Sequence, residues 1–227
     1  KSLFELTIQR NRPIADKLMV IGNRDNDHLS QEVLDKLDVE YLKIVEAVPR
    51  NTAAAIAFAA LAVDDDDILI VTPSDHLIED MEAYQIAMKN AIDLAQNDFI
   101  VTFGIHPTRP ETGYGYIEHK GDKVLSFREK PNHITAQDFI EQGNFLWNSG
   151  MFCFKAKVLL KELKKFEKEI YEQSKIAWEA SNNGELDEAL SLEIPSNSID
   201  YAVMERSKKI KVVPAKFVWN DLGSFES

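Results

Sequence analysis

Hydrophobic and polar positions along the first hundred residues follow two alternating patterns. Short apolar runs typical of strands occupy residues 17–22, 41–45, 68–71 and 99–105. Between them, apolar residues recur at helical spacing near residues 28–37, 51–62 and 81–96. This alternation predicts a parallel sheet with right-handed crossovers, preceded by a helix over residues 1–10.

The stretch from Ile68 to Leu77 joins a buried segment to a polar one. Its first four residues are aliphatic without alternation, which favours a strand covered on both faces of a parallel sheet, and Pro73 argues against a helix. Asp75 follows the carboxyl end of this strand, where open α/β sheets bind ligands. Asp75 is therefore the first candidate site residue. The alternative is that Ser74 or Asp75 only caps a following helix.

Glycine and proline interrupt the pattern after Ile105. Further strands are predicted at residues 114–117, 124–127, 150–154, 210–213 and 216–218, and helices at 136–142, 157–181 and 198–205. Asn148 stands where a loop enters a buried strand, and its amide could bind a hydroxyl-rich ligand. Asp221 is a second carboxylate placed just beyond a strand.

Composition narrows the class of protein. The 227 residues are 44% hydrophobic, which suffices for one domain with a full core. The single cysteine, Cys153, cannot form an internal disulfide and is expected to be a small buried residue in a reduced, cytoplasmic setting. No run approaches the roughly 20 apolar residues of a membrane span.

The net charge limits the kinds of ligand that the protein is expected to bind. The charge of −12 argues against binding to a nucleic-acid backbone. A phosphorylated small molecule remains compatible with this charge if local basic residues and a divalent cation assist.

Two polar segments flank the helix at residues 51–62. Before it, Glu46, Arg50 and Asn51 lie in a loop, where Arg50 could bind a phosphate or a base or could form a surface ion pair. Asn51 or Thr52 is expected to cap the helix. After it, Asp64–Asp67 resembles a metal-binding DxD motif, but a loop before a strand lies opposite the ligand edge, which favours a solvated loop.

Four more residues have both a functional and a structural interpretation. Gly115 lies between two tyrosines and would let a ligand approach the backbone, or it serves a turn. Glu129 and Lys130 end a strand and form either part of a site or a solvated charge cluster. Asp200 contacts a ligand or only complements a helix dipole.

Seven segments, in this order, resemble the mannose-1-phosphate guanylyltransferases, also called GDP-mannose pyrophosphorylases. They are PRNTAAAIA, VTPSDHLI, FGIHPTRPETGYGYIE, FREKP, NFLWNSGMF, SIDYAVMER and WNDLGSF. The closest resemblance is to the bacterial bifunctional type, which is fused to a phosphomannose isomerase domain. It implies an α/β, Rossmann-like mixed, mostly parallel sheet flanked by helices, of the nucleotide-diphospho-sugar transferase type.

The resemblance also implies an activity and a set of site residues. The expected reaction transfers a guanylyl group from GTP to α-D-mannose 1-phosphate and releases pyrophosphate, in polysaccharide biosynthesis. Asp75 and Asp221 match the carboxylates that coordinate Mg²⁺, and Lys130 matches a phosphate contact. The sugar positions are matched by Gly115, Glu129, Asn148 and Asp200, and the nucleotide pocket by Arg50 and Asn51. We further expect a homodimer, with no nucleic-acid or membrane partner.

The family's glycine-rich loop, of the form GGxGxRLxPLS followed by PKQ, does not occur in the sequence. Because that loop supplies the family's main positive charges at the triphosphate, we expect little catalysis from residues 1–227 alone. The isomerase domain is likewise absent from these residues. Three alternatives remain: a nucleotidyltransferase for another sugar 1-phosphate, a non-catalytic subunit that binds nucleotide sugars, and a glycosyltransferase using Asp64–Asp67.

Overall fold

The chain forms two compact units. The computed structural model describes residues 1–221, so the Leu222–Phe225 part of the WNDLGSF segment lies outside the described residues. The first unit comprises Lys1–Asp67 and Ala156–Arg206, and the second comprises Ile68–Lys155 and the chain from Ser207. The organisation of residues 1–227 as one nucleotidyltransferase domain stays a prediction.

Helices and strands alternate along most of the chain. In order, the elements are α1 Leu3–Asn11, β1 Leu18–Asn23, α2 Asp27–Leu37, β2 Tyr41–Glu46, α3 Asn51–Leu61, β3 Ile68–Val71, β4 His76–Glu79, α4 Met81–Gln96, β5 Ile100–Ile105, β6 Tyr116–Lys120, β7 Lys123–Arg128, α5 His133–Gln142, β8 Phe145–Lys155, α6 Ala156–Phe166, α7 Lys168–Glu179, α8 Glu188–Leu192, a π-helical turn Asp200–Met204, β9 Ile210–Ala215 and β10 Val218–Asp221. No helix in this described part is long and apolar enough to cross a membrane.

The first unit is built around the apolar helix α3. Its sequence NTAAAIAFAAL has no polar face beyond the first turn, and Ala53 to Ala60 are almost all buried. Small alanine side chains allow close approach, and α3 packs against α6, α7 and the parallel pair β1–β2. A helix that is apolar on all sides is stable only when neighbours surround it in this way.

The second unit contains a six-stranded sheet in the order β3-β8-β5-β9-β7-β6, in which β8 also pairs with β6. Strand β8 runs antiparallel to β3 and β5, and β5 runs parallel to β9. Helix α4 covers β5, β8 and β9. A separate antiparallel pair joins β4 to β10.

The mixed α/β class predicted from the sequence is confirmed, but strand direction differs from the expectation. Among the described ladders, β1–β2 and β5–β9 are parallel and the others are antiparallel. The expected central position of Ile68–Val71 in a parallel sheet was wrong for the described residues. This strand lies at the sheet edge, antiparallel to β8, and is only partly buried. The apolar run in this strand indicated burial, but such a run carries no information about whether the neighbouring strand is parallel or antiparallel.

Three local predictions and one open alternative, the capping by Ser74 or Asp75, were also wrong. A strand, β4, follows Asp75, so neither Ser74 nor Asp75 caps a helix there. The helix predicted over 157–181 is two helices that break at Glu167, whose backbone is not helical at φ −140 and ψ 69. Asn148 lies inside β8 rather than at its start. Neither Asn51 nor Thr52 caps α3, whose N-cap position is Arg50.

Candidate functional site

The pairing of β4 with β10 brings two carboxylates to one place in the second unit. Asp221 is the cross-strand partner of His76, and Asp75 immediately precedes His76. Cβ atoms of directly opposed residues in antiparallel strands lie about 4.5 to 5.5 Å apart, so this register alone makes Asp221 a neighbour of the Asp75 segment. The pairing of β4 with β10 thus brings together two acids that lie far apart in the sequence.

Both carboxylates face the same atom of His76. The His76 Nε2 atom lies 3.7 Å from Asp75 Oδ1 and 3.6 Å from Asp221 Oδ1. These distances exceed a direct hydrogen bond but lie within charge-to-dipole range. The imidazole is buried, whereas the Asp75 side chain is 66% exposed and the Asp221 side chain 27% exposed. The pair of acids is therefore open to solvent on the Asp75 side.

Trp219 contacts His76 on the side away from the acids. Its indole Nε1–H donates to His76 Nδ1 at 3.2 Å. The two rings meet edge to face with centroids 5.4 Å apart. The sequence interpretation missed His76 and Trp219 as site residues. No local signal could have found them, because Trp219 and Asp221 share the face of His76 only once β4 pairs with β10.

Three residues predicted around the sugar lie together in the same unit. The Asn148 N–H donates to the Gly115 carbonyl oxygen at 2.8 Å. A Cβ atom added to Gly115 would lie 3.4 Å from Asn148 Cβ and 3.5 Å from Glu129 Oε1. Gly115 thus leaves a gap of methyl size between an amide and a carboxyl group, which are groups suited to sugar hydroxyls.

The Asn148 side chain has a fixed orientation. Its Oδ1 atom accepts from the Thr102 hydroxyl and from the Gly150 N–H, each at 3.2 Å. Thr102 is fully buried, so this hydroxyl is a firm anchor. Because Oδ1 accepts these two hydrogen bonds, the other end of the side-chain amide is its donor nitrogen, Nδ2. Thr102 was not identified from the sequence, since a threonine inside an apolar strand has no distinguishing pattern.

Glu129 and Lys130 form a charged pair beside this gap. Burial raises the pKa of the Glu129 carboxyl, and the neighbouring Lys130 charge and backbone N–H oppose that rise. Lys130 has a φ of 41°, a left-handed conformation that is unfavourable for a side chain of this type. Such backbone strain is common in binding loops, where the surrounding structure holds the residue in place.

Gly150 connects the Asn148 group to the two carboxylates. Its φ of 76° belongs to the region that favours glycine, and a Cβ atom there would lie 4.0 Å from His76 Cε1 and 3.7 Å from Pro73 Cγ. Its N–H bonds to Asn148. The predicted sugar residues and the predicted metal residues of the second unit therefore form one continuous chain of contacts.

The remaining predicted residues lie in the first unit. Arg50 Nε donates to the Ile194 carbonyl at 2.8 Å, so the predicted surface ion pair is replaced by a backbone contact. Asn51 has a φ of 69°, and its Oδ1 accepts from the Thr52 N–H at 2.7 Å. The Thr52 hydroxyl in turn accepts from the N–H of Ile199, next to Asp200. The start of α3 and the Asp200 turn are thus joined.

Glu46 is a half-buried acid at the end of β2 that the sequence interpretation placed only in the loop before α3. Burial raises the pKa of its carboxyl to about 7, and a backbone hydrogen bond from Arg50 partly opposes this. Its Oε2 atom is buried without a hydrogen-bond partner. The run Asp64–Asp67 is exposed, as the solvated-loop interpretation predicted. Cys153 is buried in β8, and desolvation raises the pKa of its thiol to about 12.

The donor set suits a cation that takes few protein ligands. Within residues 1–221 there is no group of three or more histidine, cysteine, aspartate or glutamate side chains arranged to hold a metal. Asp75 and Asp221 nonetheless lie close to a common point. Mg²⁺ usually binds through one or two carboxylates, with water and substrate phosphates completing an octahedron. The geometry fits that mode and does not fit a closed all-protein cage.

The chain belongs to the Nucleotidyl transferase family, whose model matches residues 1–227. Enzymes of this family generally use a divalent metal. Along its whole length the chain is 41% identical to a xanthan biosynthesis protein, XanB, of Xanthomonas campestris pv. campestris and 39% identical to the mannose-1-phosphate guanylyltransferase of Escherichia coli K12. The chain spans about half the length of these curated relatives, 51% and 52% respectively.

A solved structure shares the fold closely. It is a crystal structure of a mannose-6-phosphate isomerase from Helicobacter pylori, which is 41% identical and superposes with a TM-score of 0.92 over 97% of this chain and 91% of that one. The likeness confirms the mixed α/β architecture. Its isomerase name and the guanylyltransferase name of the E. coli relative describe different reactions on mannose phosphates.

Proposed function

We propose that the protein transfers a guanylyl group from GTP to α-D-mannose 1-phosphate, giving GDP-mannose and pyrophosphate, with Mg²⁺ held by Asp75 and Asp221. The observation that carries the proposal is the convergence of these two acids on His76 Nε2 at 3.7 and 3.6 Å. The family match over residues 1–227 and the 39% identity to the E. coli mannose-1-phosphate guanylyltransferase support the same reaction.

The chemistry requires no catalytic base. The attacking atom is a phosphate oxygen of mannose 1-phosphate, which is already ionised at neutral pH. It forms a bond to the α-phosphorus of GTP while the bond from that phosphorus to the bridging oxygen of pyrophosphate breaks. The barrier lies in bringing anions together and aligning them, so positioning and charge stabilisation dominate. When bound, Mg²⁺ would neutralise phosphate oxygens and favour the in-line arrangement.

The residues around Gly115 are proposed to bind the sugar phosphate. Asn148 and Glu129 offer a donor and an acceptor on either side of the methyl-sized Gly115 gap. Lys130 adds positive charge at the sugar phosphate, which compensates locally for the net charge of −12. Hydroxyl-specific contacts of this kind reject analogues that leave the buried polar groups unpaired.

The nucleotide is proposed to contact Arg50 and Asn51 in the first unit, and Asp200 of the same unit is proposed to contact the sugar. This assignment rests on the resemblance of PRNTAAAIA and SIDYAVMER to the family and on the local link from Thr52 to Ile199. A guanidinium forms bidentate bonds to phosphate, and Arg50 retains its terminal nitrogens for this when Nε binds Ile194.

A homodimer is also proposed.

A second candidate function is the isomerisation of mannose 6-phosphate, which the name of the H. pylori structure suggests. That reaction moves a proton between two carbons of the sugar and leaves the phosphate intact. The match of the Nucleotidyl transferase family to all 227 residues favours nucleotidyl transfer for this part of the chain.

The test is a substrate panel with the full-length protein. Pyrophosphate release should require GTP, mannose 1-phosphate and a divalent cation together, and GDP-mannose should appear in equal amount. Replacing GTP by ATP or mannose 1-phosphate by glucose 1-phosphate should sharply reduce the rate. Binding of GDP-mannose without turnover, a faster reaction with another pair, or conversion of mannose 6-phosphate with no release of pyrophosphate from GTP and mannose 1-phosphate would contradict the proposal.

Asp65→Asn is the matched control for carboxylate variants. Asp65 is exposed and belongs to the acidic run Asp64–Asp67 in the first unit. The variant should retain full pyrophosphate release. Loss of activity there, with activity retained in Asp75→Asn, would favour the glycosyltransferase alternative instead.

A further inference from the structure

We propose that Trp219 fixes the tautomer of His76 and that His76 is a positioning residue, which directs its Nε2–H toward Asp75 and Asp221 and orients both for one cation. The inference deepens the proposed function and rests on it for the identity of the cation. The assignment of roles to the two aromatic residues comes from their contacts alone.

The tautomer follows from hydrogen-bond chemistry. An indole Nε1–H can only donate, so His76 Nδ1, at 3.2 Å from Trp219 Nε1, must accept. A neutral imidazole has one donor and one acceptor nitrogen, and acceptance at Nδ1 places the proton on Nε2. Nε2 is the atom that both carboxylates face. The N–H dipole therefore has its positive end between two negative groups.

The imidazole is held in this orientation from three sides. Trp219 binds one nitrogen and packs against the ring edge to face. Gly150 lies next to the ring, since a Cβ atom added there would be 4.0 Å from Cε1. The side chain is only 9% exposed, so rotation of the ring is hindered. A ring fixed in this way can hold the acids before a cation arrives.

The functional consequence is electrostatic. Two carboxylates that approach one point repel each other, and in a cation site without its cation this repulsion is not compensated. A neutral N–H donor between them reduces the repulsion without adding a charge that would compete with a metal. Residues that orient metal ligands in this way typically contribute about 10- to 100-fold to metal affinity.

The register of β4 and β10 explains how sequence encodes the arrangement. His76 lies opposite Asp221, and Ile78 lies opposite Trp219. Side chains two residues apart on a strand share a face, so Trp219 and Asp221 both lie on the His76 face. The Trp219 side chain two residues before one acid can thus reach the histidine that directly follows the other acid.

The first test measures the tautomer. Long-range ¹H–¹⁵N NMR of the full-length protein, without nucleotide or sugar, should show His76 with a protonated Nε2 and an unprotonated Nδ1. In Trp219→Phe, which keeps an aromatic ring but removes the donor, the two ¹⁵N shifts should move toward each other as the tautomers mix.

The second test measures cation affinity by titration with Mn²⁺, without activity as the readout. Trp219→Phe and His76→Phe should weaken binding about 10-fold, whereas His76→Gln, which keeps an N–H donor, should retain most of the affinity. Trp147→Phe is the matched control, because Trp147 belongs to the same aromatic cluster and lines the same cavity of about 350 Å³ as Trp219. It should leave both readouts unchanged.

Three results would overturn the inference. They are a wild-type His76 protonated mainly on Nδ1, a Trp219→Phe protein with unchanged ¹⁵N shifts and Mn²⁺ affinity, and a Trp147→Phe protein that behaves like Trp219→Phe. None of these depends on turnover, so failure of the inference is distinct from failure of the proposed guanylyl transfer. Conversely, the tautomer can be confirmed in a protein that proves inactive with GTP.

Discussion

The backbone N–H of Asn148 donates to the Gly115 carbonyl oxygen at 2.8 Å, which joins the middle of β8 to the segment before β6. This single bond places Asn148 and Glu129 on either side of a residue without a side chain. The absence of a side chain at Gly115 thus determines the size of the gap. Strand β8 and the residue after β7 supply the polar groups that border it.

Gly115→Ala should impair substrate binding without impairing folding. The new methyl group would meet Asn148 and Glu129 at 3.4 to 3.5 Å, which is ordinary contact, so the free energy of unfolding should change by less than about 1 kcal/mol. It would fill the space proposed for the sugar. A misplacement of about 1 Å there can reduce kcat/KM by about 10²-fold. Steady-state kinetics with varied mannose 1-phosphate measure the effect.

Gly104→Ala is the contrasting control. A Cβ atom at Gly104 would lie 2.5 Å from Leu146 Cδ1 and 2.8 Å from Leu146 Cβ, which is a steric clash in the sheet. Overpacking of this kind costs about 1–3 kcal/mol of stability. If Gly115→Ala instead lowers the melting temperature as much as Gly104→Ala, the glycine serves packing rather than substrate.

The KM for mannose 1-phosphate should depend on the ionisation of Glu129. Burial raises the pKa of this carboxyl, and only its ionised form is a full acceptor for sugar hydroxyls. KM should therefore fall as pH rises through that raised pKa. In Glu129→Gln the pH dependence should disappear, and KM should be high throughout. Because the Lys130 charge lowers the same pKa, Lys130→Gln should move the transition to higher pH. A transition that persists in Glu129→Gln would contradict this assignment.

Stability should vary with pH because of Glu46. Its carboxyl has a pKa of about 7 in the folded protein against 4.5 for an ordinary glutamate, so the folded state binds the proton more tightly. The folded protein holds more protons than the unfolded chain between these values, and stability therefore falls as pH rises from about 4.5 through about 7. Glu46→Gln should be similar to the wild type at pH 5 and more stable at pH 8. Thermal unfolding at both values measures the difference, and an equal response to pH in both proteins would contradict the prediction.

Local sequence patterns predicted most elements of the fold. Helix α4 over Met81–Gln96 was predicted with the bounds observed, because its apolar stripe has helical spacing. Strand β4 was missed, because four residues after Pro-Ser-Asp carry no alternation that separates a short strand from the first turn of a helix. The break at Glu167 was also missed, since no glycine or proline marks it.

Sheet order was beyond the reach of local patterns. Strand β8 pairs with β3, β5 and β6, which are remote in sequence, and its antiparallel course follows from tertiary packing. The same limit applies to the site. Asp75, Asp221, Gly115 and Glu129 were identified from motifs, but His76 and Trp219 gain significance only through the β4–β10 register. Their partners lie more than 140 residues away along the chain.

The most direct test of the account compares Asp75→Asn, Asp221→Asn and the double variant in a divalent-dependent assay of pyrophosphate release from GTP. If both acids hold one cation, each single variant should lose several kcal/mol of transition-state stabilisation, equivalent to about 10³-fold in rate. The double variant should lose no more than either single one, because residues that act as a unit are not additive. Asp65→Asn should match the wild type. Near-normal activity in either single variant, or losses that multiply in the double variant, would contradict the claim that Asp75 and Asp221 share one cation.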